Sequence, residues 1–274
     1  MPLTLQRIVE LLEHRYPRAL AADWDAVGLV CGEPAASIAR VLFAVDVDMS
    51  IVDEAMMQQV DLIVTHHPLL LRGVHSIAST DYKGNVLHTL VSHGIALYTA
   101  HTNADHALPG VSDALAEVLG LRVAGPLVPD PADADLGTGR IGDLVEPLTL
   151  GAFAERVAAA LPPTPAGIRV SGDPEKLVRR VAVCGGSGDD LLREASAAAD
   201  VYVTSDLRHH PAQEHRAQGG CALIDVPHWA GEWTWLPVAA RALDDDVRAS
   251  GSTVDVHVSE IVTDPWTLHL GSNR

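Results

Sequence analysis

The three cysteines of this chain, Cys31, Cys184 and Cys221, are unevenly spaced, form no CxxC pair and sit in or beside apolar runs. That spacing gives no disulfide framework and no cysteine-based metal knuckle, and a reducing, cytoplasmic setting is the expectation. Long apolar runs are also missing: no window approaches 18 uninterrupted apolar residues, so no membrane-spanning helix is expected. The opening MPLTLQRIVELLEHRYP carries charges throughout a helical pattern and has no continuous apolar stretch, so it does not read as a secretory signal. Positive charge is scarce, with 19 Lys and Arg against 36 Asp and Glu and a formal charge of −17. Nucleic-acid backbones are held through Lys and Arg, so direct nucleic-acid binding is not expected, whereas the acidic balance suits attraction of cations.

What the chain does have is histidine, 14 of them in 274 residues. A lone histidine is ordinarily a surface residue or a satisfied core residue, because it supplies both a donor and an acceptor. Only arrangement singles one out. Residues 4 to 15 carry apolar positions at helical spacing (Leu5, Ile8, Val9, Leu12), with Thr4 placed as an N-cap. RVLFAVDV (40–47), VDLIVTHH (60–67) and GIALYTAHT (94–102) then read as strands, apolar on both faces, and helical patterns at about 49–59, 83–93 and 111–120 separate or follow them. Short apolar strands alternating with helices imply an α/β fold around a largely buried sheet.

Between 122 and 147 the chain turns Pro- and Gly-rich around an acidic centre, without a sustained period, and reads as a boundary loop. A helix at about 150–161 follows, and the αβ rhythm resumes to about 250. An internal repeat is visible across that boundary. VLFAVDVDMSIVDEAMMQQVDLIVTHHP (41–68) lines up with VAVCGGSGDDLLREASAAADVYVTSDL (181–207), and GIALYTAHTNAD (94–105) lines up with GCALIDVPHWAGE (220–232). The expected organisation is therefore a duplication: a first α/β half over 1–125, joined by a C-terminal segment 250–274 that returns to it as strand and loop, and a second α/β half over 126–249.

Open α/β sheets bind ligands at the carboxyl ends of their strands, and there the sequence places its best donors. His66 and His67 end one strand, HTNAD brings His101 and Asp105 after another, and PHWAGE brings His228 and Glu232 after the corresponding strand of the second half. Adjacent side chains on a regular strand point to opposite faces, so His66 and His67 are expected to share one ion poorly, and to serve two ions if the chain turns at Pro68. Such a mixed nitrogen and oxygen set suits borderline divalent metals (Zn, Fe, Mn, Co or Ni) over Ca or Mg.

Other features carry plainer readings. The CGGSGDD segment could cradle phosphate but lacks a Walker lysine and is followed by acids, so a tight turn is the preferred reading. Asp206 and His210 either line the site or form a polar helix start. His75, His88, His93, His106, His257 and His269 read as ordinary surface or core histidines, and Trp229, Trp233 and Trp235 as packing around the site or a subunit contact.

The segments DWDAVGL, VTHHPLLLRG, HTNADHALPGVSDALAEVLGL, CGGSG, TSDLRHH, PHWAGE and TDPW occur in the order found in the Nif-three-like dinuclear metal-centre family, whose members are named GTP cyclohydrolase I type 2 homologues. The chain resembles that family from about residue 4 to 266, and resembles its shorter members, which lack a middle domain between the halves. The resemblance implies a Nif-three-like fold of two related α/β halves with mixed sheets and the metal site between them. It further implies two divalent ions per chain held by His66, His67, Asp105, His228 and Glu232, with an acidic residue bridging them and His101 beside them. The activity expected is hydrolysis of a small, nucleotide-like substrate by a metal-bound hydroxide, with Glu232, Asp105 or His101 shuttling the proton. A homohexamer is expected from the same resemblance. Two other readings stand beside it: a non-enzymatic metal carrier or scaffold, and a protein-interaction module linked to transcription. Ala26 and the Pro227-His228-Trp229 run depart from the family pattern, where Asn and Gly-His-Tyr are usual, without removing a ligand.

Overall fold

The computed structural model describes residues 3–271. It opens with β1 (Leu3–Thr4) and α1 (Leu5–Arg15), whose start is closed as expected by the Thr4 hydroxyl accepting from the Arg7 backbone N–H. Short strands β2 (Gly28–Cys31) and β3 (Ser37–Ile38) lead into the alternation: β4 (Arg40–Ala44), α2 (Met49–Met57), β5 (Leu62–Thr65), α3 (Tyr82–Ser92), β6 (Ala96–Thr99), α4 (Thr102–His106) and α5 (Val111–Val118). Next come β7 (Leu121–Pro129), β8 (Gly137–Thr149), α6 (Leu150–Ala160), β9 (Arg169–Ser171) and β10 (Leu177–Ser187). The chain continues through α7 (Leu192–Ala198), β11 (Val201–Ser205), α8 (His209–Ala217), β12 (Ala222–Asp225), α9 (His228–Trp233), α10 (Trp235–Ala249) and β13 (Asp255–Val258). No described helix is long and apolar enough to cross a membrane.

Two compact units result, one of residues up to Ala107 with Leu236–Thr263, the other of Leu108–Trp235 with residues from Asp264 onward. In the first, five strands run in the order β13-β4-β5-β6-β2; β13, β4, β5 and β6 are mutually parallel and β2 is antiparallel at the edge. Their near-continuous apolar composition follows from burial on both faces. Leu42, Ile63 and Leu97 stand side by side across the three central strands and pack with Ile51, Val52 and Ala55 of α2 and Val86 and Leu90 of α3. Each of the Leu, Ile and Val side chains, wholly removed from water, contributes roughly 1.5–3 kcal/mol. Asp48 and Asp81 cap α2 and α3 by accepting from the Ile51 and Gly84 backbone N–H groups, which sets where each helix leaves its strand.

The second unit holds a mixed six-stranded sheet, β7-β8-β10-β11-β12-β9. Its centre repeats the plan of the first: β10, β11 and β12 are parallel and in chain order, and an antiparallel strand, β9, flanks the third. Ala182, Tyr202 and Leu223 pack with Leu192 and Ala195 of α7. The α/β class with mixed sheets is thus as the sequence led us to expect.

The boundary loop expected over 122–147 is not there. Most of that stretch lies in β7 and β8, which pair antiparallel from Leu121↔Leu144 to Pro129↔Gly137. Period-two alternation was hidden because the register shifts between Val123 and Gly125, so a bulge breaks the pattern. Pro126 and Pro129 are tolerated because β7 is an edge strand and its outward N–H groups have no partner to lose.

Candidate metal centre

Because β4, β5 and β6 are parallel, the residues just past each of them emerge at one end of the sheet. His66 and His67 continue the ladder for one step beyond β5, their N–H groups donating to Ala44 and Val45 carbonyls at 3.2 and 2.8 Å. The strand proper ends at Thr65, whose hydroxyl turns back to the His67 carbonyl at 3.0 Å. The two imidazoles therefore do not diverge as they would on a regular strand. Their centroids lie 5.2 Å apart, and one ring nitrogen from each of His66, His67 and His101 falls within 4.8 Å of the others. Pleat alternation separates adjacent side chains only while the strand stays regular, and β5 ends at Thr65.

Each of these rings is gripped at Nδ1. His66, fully buried, has its Nδ1 2.9 Å from the Ala100 carbonyl, which can only accept. His67 Nδ1 lies 2.7 Å from Asp46 Oδ1, and His101 Nδ1 lies 2.9 Å from Asp25 Oδ1. An acceptor at Nδ1 puts the proton there and leaves the lone pair on Nε2. Asp105, on α4 four residues after His101, brings Oδ1 to 3.7 Å from His66 Nε2. Several electron-pair donors thus converge, an arrangement whose mutual repulsion a cation at the centre would offset. The donor set fits a divalent metal.

The Asp25 carboxylate is itself wholly covered and accepts from the Ala26 and Thr102 backbone N–H groups at 2.7 and 3.0 Å and from the Thr102 hydroxyl. Burial alone would raise its pKa; the hydrogen bonds from His101 and Thr102 outweigh that and hold it below the ordinary carboxylate range. Burial, with His66 adding to it, lowers the pKa of His101 despite Asp25, so the ring favours its neutral form. Trp24, exposed, meets the His101 ring edge-on at 5.9 Å between centroids.

In the second unit, His228 opens α9 after β12, and Glu232 lies one helical turn on, on the same face. His228 Nε2 is 2.8 Å from Glu232 Oε1, and its Nδ1 is 2.8 Å from Asp206 Oδ2. Glu232 is buried. Room for this pair is made by Gly186: a Cβ there would stand 2.4 Å from Glu232 Oε1 and 3.3 Å from His228 Nε2, and its φ of +72° is in the left-handed region. Most of the CGGSG segment lies in the last residues of β10, where the register with β11 shifts between Val183 and Ser187 and Gly186 gives the close approach. Of the two residues left open, Asp206 reaches His228, while His210 lies exposed in the first turn of α8 with its ring against His209.

Asp25 and Asp46 were missed as site residues. Asp25 stands inside DWDAVGL, which was singled out only as a motif, and Asp46 follows β4 at the same sheet end as the histidines; position at a strand end was the available signal for the latter.

A family model described as Duf34/NIF3 (NGG1p interacting factor 3) matches residues 3–265. A Streptomyces coelicolor protein named GTP cyclohydrolase 1 type 2 homolog is 52% identical over 271 residues, covering 98% of this chain and 95% of that one. A Mycobacterium tuberculosis protein of the same name is 37% identical over a 382-residue alignment covering 100% and 99% of the two chains. Among solved structures, a Bacillus cereus protein related to NIF3 superposes with a TM-score of 0.92 at 27% identity, covering 98% of this chain and all of that one.

Proposed function

We propose that this chain, which belongs to the Duf34/NIF3 family, holds two divalent ions through His66, His67, Asp105, His228 and Glu232 and uses them to hydrolyse a small nucleotide-like substrate. The observation that carries the reading is the shared anchoring of the histidines: in His66, His67, His101 and His228 alike Nδ1 is held by an oxygen, and His66 and His228 bring Nε2 to 3.7 Å from Asp105 Oδ1 and 2.8 Å from Glu232 Oε1. Nitrogen and carboxylate donors together favour Zn, Fe, Mn, Co or Ni. Bound there, such ions supply a nucleophile at neutral pH and neutralise charge on the electrophile.

The chain's own residues contribute the rest. His101, kept neutral by burial and pinned by Asp25, presents Nε2 as a proton acceptor, and the buried Glu232 carboxylate is the second candidate. Trp24 offers an exposed aromatic surface beside His101 for a planar base. GTP is the first substrate to test, from the name its relatives carry; a cyclohydrolase would open the purine imidazole ring and release formate, and phosphoester hydrolysis would use the same ions. A cytoplasmic homohexamer completes the proposal from the family resemblance.

Elemental analysis of untagged protein, paired with turnover of GTP, other nucleotides and phosphoesters before and after chelation, tests this reading. Two ions per chain with chelator-sensitive turnover is the expected result. Two ions without turnover would replace the enzyme by a metal carrier or scaffold, and protein devoid of ions after growth and refilling with zinc would overturn the site.

A further inference from the structure

We infer that Asp206 is a positioning residue that decides which nitrogen of His228 carries the proton, and thereby whether the His228–Glu232 pair can accept a cation. The inference rests on the metal-binding reading above and deepens it in the second unit.

The imidazole of His228 lies between two carboxylates, with Asp206 Oδ2 2.8 Å from Nδ1 and Glu232 Oε1 2.8 Å from Nε2. A neutral imidazole has one N–H to give. Donated to Glu232, that proton closes an internal hydrogen bond across the i, i+4 turn and occupies the very lone pairs an ion would use. Donated to Asp206, it leaves Nε2 and Oε1 as two acceptors facing one another, which a cation joins. Asp206 competes with Glu232 for the proton, and its presence at Nδ1 favours the arrangement that binds metal.

The backbone shows how the carboxylate is put there. Ser205 ends β11 in extended conformation, and Asp206 then takes φ +56°, in the left-handed region, one of two non-glycine residues with positive φ among those described. Neighbours impose this turn: the next N–H, of Leu207, donates to Asp225 Oδ1 at 3.0 Å, and Asp225 in turn accepts from Arg169 Nε at 2.8 Å. Strain of this kind persists where the surroundings over-determine it and clusters at functional sites. A glycine would adopt the turn freely, so conformation alone does not call for aspartate at 206.

That last point supplies the test. Asp206→Gly keeps the turn, relieves the strain and removes the anchor; Asp206→Asn keeps a neutral oxygen that can still accept from Nδ1. Zinc titration of chelator-stripped full-length chains, together with detection of the His228 Nδ1–H signal in 15N-labelled, metal-free protein, reads affinity and tautomer separately. We expect Asp206→Gly to melt no lower than the parent, to lose about 10–100-fold in zinc affinity and to lose the protected Nδ1–H signal, with Asp206→Asn intermediate. Unchanged affinity and a retained Nδ1–H signal in Asp206→Gly would overturn the inference while leaving the metal site standing. Failure of the parent chain itself to bind zinc would overturn both readings, so the two failures are distinguishable.

Discussion

The two units solve one problem with different materials. In the first, the ends of β4, β5 and β6 supply Asp46, His66 with His67, and His101 with Asp105. In the second, the ends of β10, β11 and β12 supply Gly186, Asp206, and His228 with Glu232. Both place a histidine and an acid four residues apart where a helix follows the third parallel strand. They part over the supports: Asp25 is a covered carboxylate with several donors of its own, whereas the Asp206 side chain is 59% exposed and stands on a left-handed turn. Where the first unit has an acid after its first parallel strand, the second has a glycine that makes room. The two units share a strand plan and differ in the side chains placed at its strand ends.

Removing donors should break the comparison most sharply. His67→Ala in the first unit and Glu232→Gln in the second should each lose bound metal and any hydrolytic turnover with far-ultraviolet dichroism unchanged; elemental analysis of both variants decides it, and full metal content in His67→Ala would remove that residue from the ligand set.

Gly186→Ala should come next. Its methyl would meet Glu232 Oε1 at 2.4 Å, and its φ of +72° strains any side chain. Left-handed backbone costs roughly 1–2 kcal/mol and crowding about 1–3 kcal/mol, so denaturant unfolding should show a loss of that order together with weakened metal binding. Unaltered stability and affinity would mean that the glycine is incidental.

The smallest effect concerns the support in the first unit. Asp25→Asn keeps the shape but not the charge, and should lower stability at pH 7 by roughly 1–3 kcal/mol. The sign with pH follows from the shift. The folded-state pKa of Asp25 is depressed, so its contribution is present above the unfolded value near 3.9 and is lost as pH falls through the folded value. His101, also lowered, begins to cost stability below about 6.5, where the unfolded chain takes up protons that the fold resists. Chelated parent protein should therefore weaken on acidification, and Asp25→Asn should lack the lowest-pH part of that decline; urea midpoints from pH 7 to 3 measure it, and parallel curves for the two chains would contradict the assignment.

Much was legible along the chain because it is local. Apolar runs over 40–47, 60–67 and 94–102 become β4, β5 and β6 since a strand buried on both faces must be apolar throughout, and Thr4 caps α1 through a contact three residues long. His228 and Glu232 share a face because helical spacing puts them there. The β7–β8 pair was not legible, because bulges and edge prolines erase the alternation by which a strand is recognised.

By itself, then, the sequence determined the α/β alternation and the placement of donors at strand ends, both set by burial and by periods of two and 3.6 residues. Only the tertiary structure decided which nitrogen each histidine offers. Asp25 reaches His101 across 76 residues, Asp46 reaches His67 across 21 and Asp206 reaches His228 across 22. A tautomer is chosen by whichever acceptor stands within about 3 Å of the ring, and no pattern along the chain specifies that neighbour.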